Sequence, residues 1–212
     1  MQGETAFRVT AIVLFASILI PGGYQRIRAA KSGERISRRE EGLPLMVLLR
    51  LFGFATWIGL LLYMLHPAWM RWSQVQIPAA WRWAGAGLGI VVVPLITWMF
   101  VSLGRNVTDT VAIRGEHRLV THGPYRWIRH PMYTFSFLAV PAFALLSASW
   151  FIALTGSLAS ILLVVRTPIE ETRMIDAFGD RYREYMRRTG RFIPRRRMDV
   201  HESDQTTTDS RG

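Results

Sequence analysis

Residues 133–165 read YTFSFLAVPAFALLSASWFIALTGSLASILLVV and contain no charged side chain. A bilayer core about 30 Å thick is crossed by roughly 20 apolar residues in a helix, so this run is too long for one straight crossing. Small polar residues interrupt it near Ser147 and Ser149. The run therefore predicts a tight helical hairpin made of two short spans, residues 133–148 and 150–167.

Three further apolar windows precede this hairpin, at about residues 6–24, 43–65 and 83–103. Each is long enough to cross a bilayer as a helix. The sequence therefore predicts an all-α polytopic membrane protein with about five transmembrane helices and a single domain over residues 1–198. Arg50 lies inside the second window, and we expect it to be partnered in the bundle interior rather than to reach the lipid headgroups.

The formal net charge of +11 comes from basic residues that collect between the apolar windows. A nucleic-acid-binding domain would spread such charges over a fold of ordinary apolar content, so we expect no nucleic-acid partner. Basic loops beside apolar spans are instead typical of membrane proteins. There is no cysteine, which excludes disulfides, thiolate nucleophiles and cysteine-rich zinc sites.

The same basic residues predict an orientation in the membrane. The loop between the first and second windows is rich in them, whereas only Arg71 and Arg82 lie between the second and third. The segments after the third and the last windows are basic again. We therefore predict an outer N-terminus and an inner C-terminus in a bacterial inner membrane, with the functional site facing the cytoplasm. The expected aromatic belt on the outer side consists of Trp69, Trp72, Trp81 and Trp83.

The chain after the last window is amphipathic. Its apolar residues recur at helical spacing among charged ones, at Ile175, Phe178, Tyr182 and Tyr185. This pattern predicts a surface helix over residues 170–188 that Gly190 ends. We expect residues 104–132 and 168–194 to be cytoplasmic segments and residues 199–212 to be a disordered tail.

Most of the unusual residues lie at the two feet of the hairpin, in 119–133, LVTHGPYRWIRHPMY, and 166–171, RTPIEE. Ordinary structural roles could also explain these residues. They are a Gly-Pro turn, a proline in the first turn of a helix, arginines that reach headgroups, and an Arg166–Glu170 ion pair worth roughly a few tenths of a kcal/mol. Ionisable residues near a membrane are nevertheless costly unless they are partnered. Because both feet of a hairpin lie on the same side, we predict that their polar groups converge on one pocket.

These two segments, followed by FGDRYREYMRRTGRFIP at residues 178–194, resemble the isoprenylcysteine carboxyl methyltransferase family of membrane methyltransferases. The order and spacing of the three blocks match, over about residues 103–194. The resemblance implies S-adenosyl-L-methionine as the cofactor. It also implies a lipid-like or lipidated acceptor that is reached at the membrane.

The resemblance assigns residues to these roles. The cofactor is expected to contact His117, Leu119, Val120, Tyr125, His130, Pro131, Met132, Tyr133 and Glu170. The first three correspond to a lip that holds the adenosine, Tyr125 to a residue that closes over it, and Glu170 to the acid at the ammonium group. Arg166 corresponds to a residue that binds the acceptor, and we place Arg166 and His130 in the catalytic group.

Physical chemistry agrees with these roles. Aromatic faces stabilise a sulfonium cation by about 0.5–2 kcal/mol, and the candidates are Tyr125, Trp127 and Tyr133. Methyl transfer is an in-line displacement that needs alignment and exclusion of water but no nucleophilic side chain. Arg166 could orient a carboxylate acceptor without any base. An amine or hydroxyl acceptor would need a base such as His130 or Glu171.

Two positions depart from the family pattern. Phe135 stands where the family often has glycine, and Pro168 interrupts the region before the acidic pair. A bulky Phe135 would narrow a lateral opening between spans. We therefore expect a small isoprenoid or a phospholipid, rather than a prenylated protein, as the acceptor.

Two other hypotheses stay open. An NADPH-dependent membrane reductase of the sterol-reductase type would need clustered arginines for its phosphate, and the candidates are Arg126, Arg129 and Arg173. A non-enzymatic membrane protein could use its basic stretch 187–197 to dock anionic lipid or a partner. We expect no obligate protein partner, and no metal site, because His66 and His122 have no partner at metal-ligand spacing and His201 lies in the tail.

Overall fold

The computed structural model describes residues 2–30, 43–103 and 119–195. The helices in these ranges are α1 Gln2–Ala30, α2 Leu43–Leu65, α3 Ala79–Leu103, α4 Pro131–Ser147, α5 Trp150–Phe178 and α6 Asp180–Arg188. Short 3-10 helices cover Pro67–Ser73 and Gly123–Arg126. Extended pairing in the described residues is limited to two isolated bridges, Gln74 with Ser149 and Ile128 with Gly190. The predicted all-α class is therefore confirmed.

The outside of this bundle is apolar. Helices α1, α2, α3 and α5 each contain a stretch long and apolar enough to cross a membrane, and α4 is a shorter apolar helix of 17 residues. Large exposed side chains on their outer faces include Ile20, Phe54, Ile90 and Ile161. Such a surface is favourable in lipid and unfavourable in water. The chain is an integral, polytopic membrane protein, as the sequence predicted.

The interruption at residues 147–149 forms the turn of the hairpin. Helix α4 ends at Ser147, Ala148 takes a left-handed conformation with a φ of 50°, and the hydroxyl of Ser149 accepts a hydrogen bond from the Ile152 amide at 3.3 Å. An αL residue followed by a serine cap reverses the chain within two residues. Helices α4 and α5 are therefore antiparallel. The start of α4 and the end of α5 lie at the same end of the bundle.

Helix α5 is longer than the sequence predicted. It continues through Pro168 to Phe178, so its first part crosses the membrane and its last part extends beyond. The hydroxyls of Thr167 and Thr172 bond to the Leu163 and Pro168 carbonyls, and such bonds help a membrane helix tolerate proline. The predicted surface helix over 170–188 is wrong as one element, because Gly179, with a φ of 56°, separates α5 from α6.

A polar cluster ties four helices together at the end opposite the hairpin feet. The guanidinium of Arg82 donates to both carboxylate oxygens of Glu4, at 2.6 and 3.0 Å, and to the Leu146 carbonyl at 2.8 and 3.0 Å. It also donates to the Tyr63 hydroxyl. These contacts join the starts of α1 and α3 to the ends of α2 and α4, so α1 begins at the end far from the hairpin feet. The four exposed tryptophans of the expected belt lie in or beside these same segments, at Trp69, Trp72, Trp81 and Trp83.

Arg50 does not lie in the bundle interior. It is exposed on the outer face of α2, two turns from the start of that helix. The expected interior position is therefore wrong. A long, flexible side chain at this position reaches the lipid headgroups by extending along the helix, which avoids the cost of burying its charge.

Close contact between α3 and α4 depends on a glycine. A Cβ at Gly85 would lie 2.7 Å from the Ala142 carbonyl oxygen and 2.8 Å from the Leu145 Cβ. Gly85→Ala is expected to push the two helices apart and to destabilise the protein by roughly 1–3 kcal/mol. Thermal unfolding in detergent measures this loss. The matched control is Gly87→Ala in the same helix, where no atom lies within 4 Å of the new Cβ; equal effects of both variants would contradict this packing.

Candidate functional site

The two feet of the hairpin bring four of the predicted residues together. The hydroxyl of Tyr133, in the first turn of α4, donates to Glu170 Oε1 on α5 at 2.6 Å. Arg166 Nε lies 3.4 Å from the same oxygen, and His130 Nδ1 lies 3.6 Å from Glu170 Oε2. All four side chains are largely buried. The Arg166–Glu170 pair, one helical turn apart across Pro168, is thus part of a larger constellation.

His130 lies between two carboxylates. Its ring stacks on the Tyr133 ring, with centroids 5.4 Å apart and planes at 13°. Its Nε2 is 3.4 Å from Glu171 Oε1, on the opposite side from Glu170. Nε2 is buried and makes no hydrogen bond within the described part of the chain. Its polar neighbour is therefore the Glu171 carboxylate, at ion-pair distance.

Glu171 is the centre of a second group of charges, beside the first. Its side chain is 4% exposed and accepts a hydrogen bond from Arg129 Nε at 2.9 Å. Arg191 bonds to both oxygens of the same carboxylate. Arg129, 9% exposed, also donates to the Met186 and Thr189 carbonyls. Sequence reasoning gave Glu171 only a possible role as a base and gave Arg191 none.

The segment after α6 closes over this group. We call residues 189–193 the strap. The Gly190 amide donates to the Trp127 carbonyl at 3.0 Å, and the amides of Arg129 and His130 donate back to the Gly190 and Arg191 carbonyls at 2.8 and 3.1 Å. Any Cβ at Gly190 would lie 1.7 Å from the Ile193 carbonyl oxygen, so only glycine fits there. The strap thereby fixes the backbone of His130.

Phe192 of the strap separates the charged residues from the membrane. Its carbonyl accepts from the Thr134 hydroxyl at 2.8 Å. Its ring lies 6.0 Å from the His130 ring and 5.8 Å from the Phe137 ring, which is one turn further into α4. The strap thus packs against the first two turns of α4.

Another segment beside the site is residues 119–126, which include Leu119 and Val120 of the predicted adenosine lip. Gly123 has a φ of 61°, and a Cβ there would lie 2.0 Å from Ser102 Oγ, so the segment packs tightly on the end of α3. Tyr125 packs against a cluster on α3 and α4 that includes Phe135, and its carbonyl accepts from the Tyr185 hydroxyl at 2.7 Å. Burial raises the pKa of the Tyr125 phenol, which keeps it neutral. Leu119 and Val120 are half-buried, and His117 lies outside the described residues.

Other predicted residues lie further from the charges. Pro131 is fully buried at the start of α4, where its missing amide costs nothing, and Met132 is exposed. Trp127 is also exposed and packs on Trp98 at 5.7 Å, outside the site. Of the three aromatic candidates for a sulfonium, Tyr133 is therefore the one that contacts the charged constellation directly.

Two of the three arginines proposed for a nucleotide phosphate are directed at different places. Arg126 is exposed, with its guanidinium 5.8 Å from the Trp127 ring centroid, whereas Arg129 is directed inward at Glu171. A phosphate site requires several such side chains that point at one place. Across residues 2–30, 43–103 and 119–195, no group of three His, Asp or Glu side chains is arranged to hold a metal.

The fold and this site define a polytopic helical membrane protein with a buried charged site at the foot of a membrane hairpin. Residues 85–176, which include α4 and nearly all of α5, match the sequence model described as "Isoprenylcysteine carboxyl methyltransferase (ICMT) family". This match confirms the resemblance that the motifs predicted, over the segment that carries the hairpin.

Named relatives are similar over parts of the chain. A protein-S-isoprenylcysteine O-methyltransferase of Tribolium castaneum is 34% identical over 37% of this chain and 28% of its own length. Methanethiol S-methyltransferase 1 of Bradyrhizobium diazoefficiens is 28% identical over 51% of this chain and 42% of its own. The structure of the eukaryotic intramembrane Ras methyltransferase ICMT covers 75% of this chain and 54% of that chain, with 24% identity and a TM-score of 0.48. The chain thus spans less than half of either curated relative.

The buried pairing of Glu171 predicts a large stability difference between two glutamates. Glu171→Gln would leave Arg129 buried without a carboxylate, so we expect a loss of about 3–5 kcal/mol in the free energy of unfolding. Glu184→Gln is the control, because Glu184 pairs with Arg187 and Arg188 while 40% exposed, and its loss is expected to be within about 1 kcal/mol. Denaturation in detergent compares the two. Similar losses for both variants would be incompatible with a buried network around Glu171.

Proposed function

We propose that this protein transfers the methyl group of S-adenosyl-L-methionine to a lipid-like acceptor at the membrane. The observation that carries the proposal is the constellation of His130, Tyr133, Arg166 and Glu170, held at the feet of α4 and α5 within the family segment. The names of the two curated relatives share methyl transfer but differ in acceptor. These names support the type of reaction and no particular acceptor.

The residues at the site suit the groups of this cofactor. Glu170 uses Oε1 for Tyr133, which leaves Oε2 to accept from an ammonium group. The stacked rings of His130 and Tyr133 offer an aromatic face to a sulfonium cation. By resemblance, His117, Leu119, Val120, Tyr125, Pro131 and Met132 complete the cofactor site.

The side chains then have to align the reactants and exclude water. When bound, S-adenosyl-L-methionine supplies a methyl carbon already activated by the sulfonium. Arg166, largely buried at the inner end of the apolar part of α5, binds and orients an anionic acceptor group through a charge-assisted pair. Such an acceptor needs no base. For a hydroxyl or amine, His130 takes the proton, and the carboxylates on both sides stabilise the resulting imidazolium.

An apolar groove beside the site supports a lipid-like acceptor. It has a volume of about 610 Å³ and lies between α4 and α5, open to the lipid. Its lining includes Phe137, Val140, Ala144, Ser157, Ile161 and Val164. Val164 is two residues before Arg166, so an apolar chain in the groove would bring its polar head to the charged site. Phe135 instead packs into the α3–α4 interface, which is consistent with entry from the α4–α5 side.

We further propose that the site faces the cytoplasm of a bacterial cell, across its inner membrane. The described residues beside the site include many arginines, among them Arg126, Arg173, Arg181 and Arg195. Basic residues next to the ends of spans favour the cytoplasmic side.

Cofactor binding distinguishes this proposal from a reductase. Calorimetry on the detergent-purified protein is expected to show binding of S-adenosylhomocysteine and none of NADPH. Glu170→Gln should weaken that binding about 10- to 100-fold, because a charge-assisted bond worth about 1.5–3 kcal/mol is lost. Asp176→Asn, an exposed acid on the same helix, is the control and should leave affinity unchanged. Binding of NADPH alone would refute the proposal, and unchanged affinity in Glu170→Gln would refute the role of Glu170.

Arg166 is expected to act on the acceptor rather than on the cofactor. Arg166→Ala should lower turnover by about a hundredfold against a panel of isoprenoid and phospholipid acceptors, because the acceptor loses its orientation. Its affinity for S-adenosylhomocysteine should change by less than about threefold. Arg166→Lys keeps the charge but not the planar fork and should lie between wild type and alanine. Equal losses of affinity and turnover in Arg166→Ala would contradict this assignment.

A further inference from the structure

A patch of exposed arginines surrounds two exposed apolar side chains outside the strap. The arginines are Arg126, Arg187, Arg188 and Arg195, and the apolar residues are Trp127 and Ile193, which are 44% and 77% exposed. We call this surface the arginine patch. Among the described residues, one carboxylate, that of Glu184, pairs with these arginines, so the described patch is positive overall.

Contacts among its residues make this patch one continuous surface. The guanidinium of Arg126 lies over the Trp127 ring, and the Trp127 carbonyl accepts from the Gly190 amide. Arg195 donates to the Arg187 carbonyl at 3.1 Å, which connects the end of the strap to α6. Arg187 and Arg188 project from α6 with 73% of each side chain exposed. Three separate stretches of sequence therefore present one basic and aromatic face.

The patch lies at the level of the membrane boundary. Phe192, next to Ile193, packs on Phe137 inside the apolar helix α4, and Trp127 packs on Trp98 in the apolar helix α3. In a bilayer around α3 and α4, these contacts would place Trp127 and Ile193 where hydrocarbon meets water and the surrounding arginines among the headgroups. Apolar anchors surrounded by basic residues are the composition of an interfacial lipid-binding surface.

We propose that the arginine patch binds the headgroups of anionic phospholipids in the surrounding bilayer, and that this binding holds the strap closed over His130 and Glu171. The strap connects the two regions directly. Its Gly190 bonds to Trp127 in the patch, while its Arg191 bonds to Glu171 in the site. A lipid that holds Arg187 and Arg195 restrains both ends of the strap at once. A soluble polyanion would satisfy the arginines but would leave Trp127 and Ile193 in water, so the bilayer is the favoured partner.

Hydrogen–deuterium exchange of the full chain in lipid nanodiscs tests this proposal. Amides of residues 127–134 and 189–193 are expected to exchange roughly tenfold more slowly in discs of phosphatidylcholine with phosphatidylglycerol than in phosphatidylcholine alone. The difference should vanish at about 0.5 M salt, which screens exposed charges. Exchange is measured without cofactor, so the result is independent of whether the protein transfers methyl groups. Equal exchange in the two kinds of disc would overturn the proposal.

A matched pair of variants locates the effect. Arg187→Gln with Arg195→Gln should abolish the slowing by anionic lipid, whereas Arg181→Gln with Arg183→Gln should keep it. The control pair removes the same charge from the same end of the protein, and Arg183, like Arg187, pairs with an acid on α6. If anionic lipid still slows amide exchange in both double variants, the overall surface potential of the membrane causes the effect. That result would overturn the arginine patch as the binding site. Heparin that slows exchange equally in phosphatidylcholine discs would indicate a soluble partner and would also overturn it.

Discussion

The carboxylate of Glu171 forms the contact on which the geometry of the site depends. It is buried in the part of α5 that follows Pro168, and it accepts hydrogen bonds from Arg129, just before α4, and from Arg191 of the strap. Burying a charge is unfavourable unless its partners are held in place. The contacts among these three side chains therefore fix the positions of α5, the segment before α4 and the strap relative to one another. Glu170, which precedes Glu171 on α5, then faces Tyr133 and Arg166.

Two adjacent glutamates thus have different surroundings. Glu171 is enclosed by arginines of the protein and serves to hold the strap and α4 against α5. Glu170 has one oxygen committed to Tyr133 and another facing His130. His130, between them, has its backbone fixed by the strap and its ring fixed by Tyr133. For the proposed methyl transfer, this division would offer the cofactor and acceptor a preorganised set of groups, which is what a reaction that needs alignment requires.

Local chemistry explains which features the sequence could predict. The hairpin turn was predictable because serines interrupt an uncharged run, and the convergence of its feet follows from hairpin geometry alone. The end of α5 was not predictable. Apolar residues keep their helical spacing after the apolar span, and no residue before Gly179 signals that the helix ends there. The pairing of Glu171 with Arg191 depends on the strap folding back onto Trp127 and His130, which no spacing rule contains. Arg50 was misplaced because a charge within an apolar window can lie on either face of its helix, and its exposed face is seen only in the structure.

An experimental structure of the protein in a nanodisc with S-adenosylhomocysteine would show whether the charged constellation at the feet of the hairpin binds the cofactor. We predict ligand density between the feet of α4 and α5, with the ammonium group at Glu170 and the sulfur beside the His130 and Tyr133 rings. Glu171 should still be bonded to Arg129 and Arg191. Density at any other place, or an intact Glu170–Tyr133 pair with no ligand beside it at saturating concentration, would contradict this prediction.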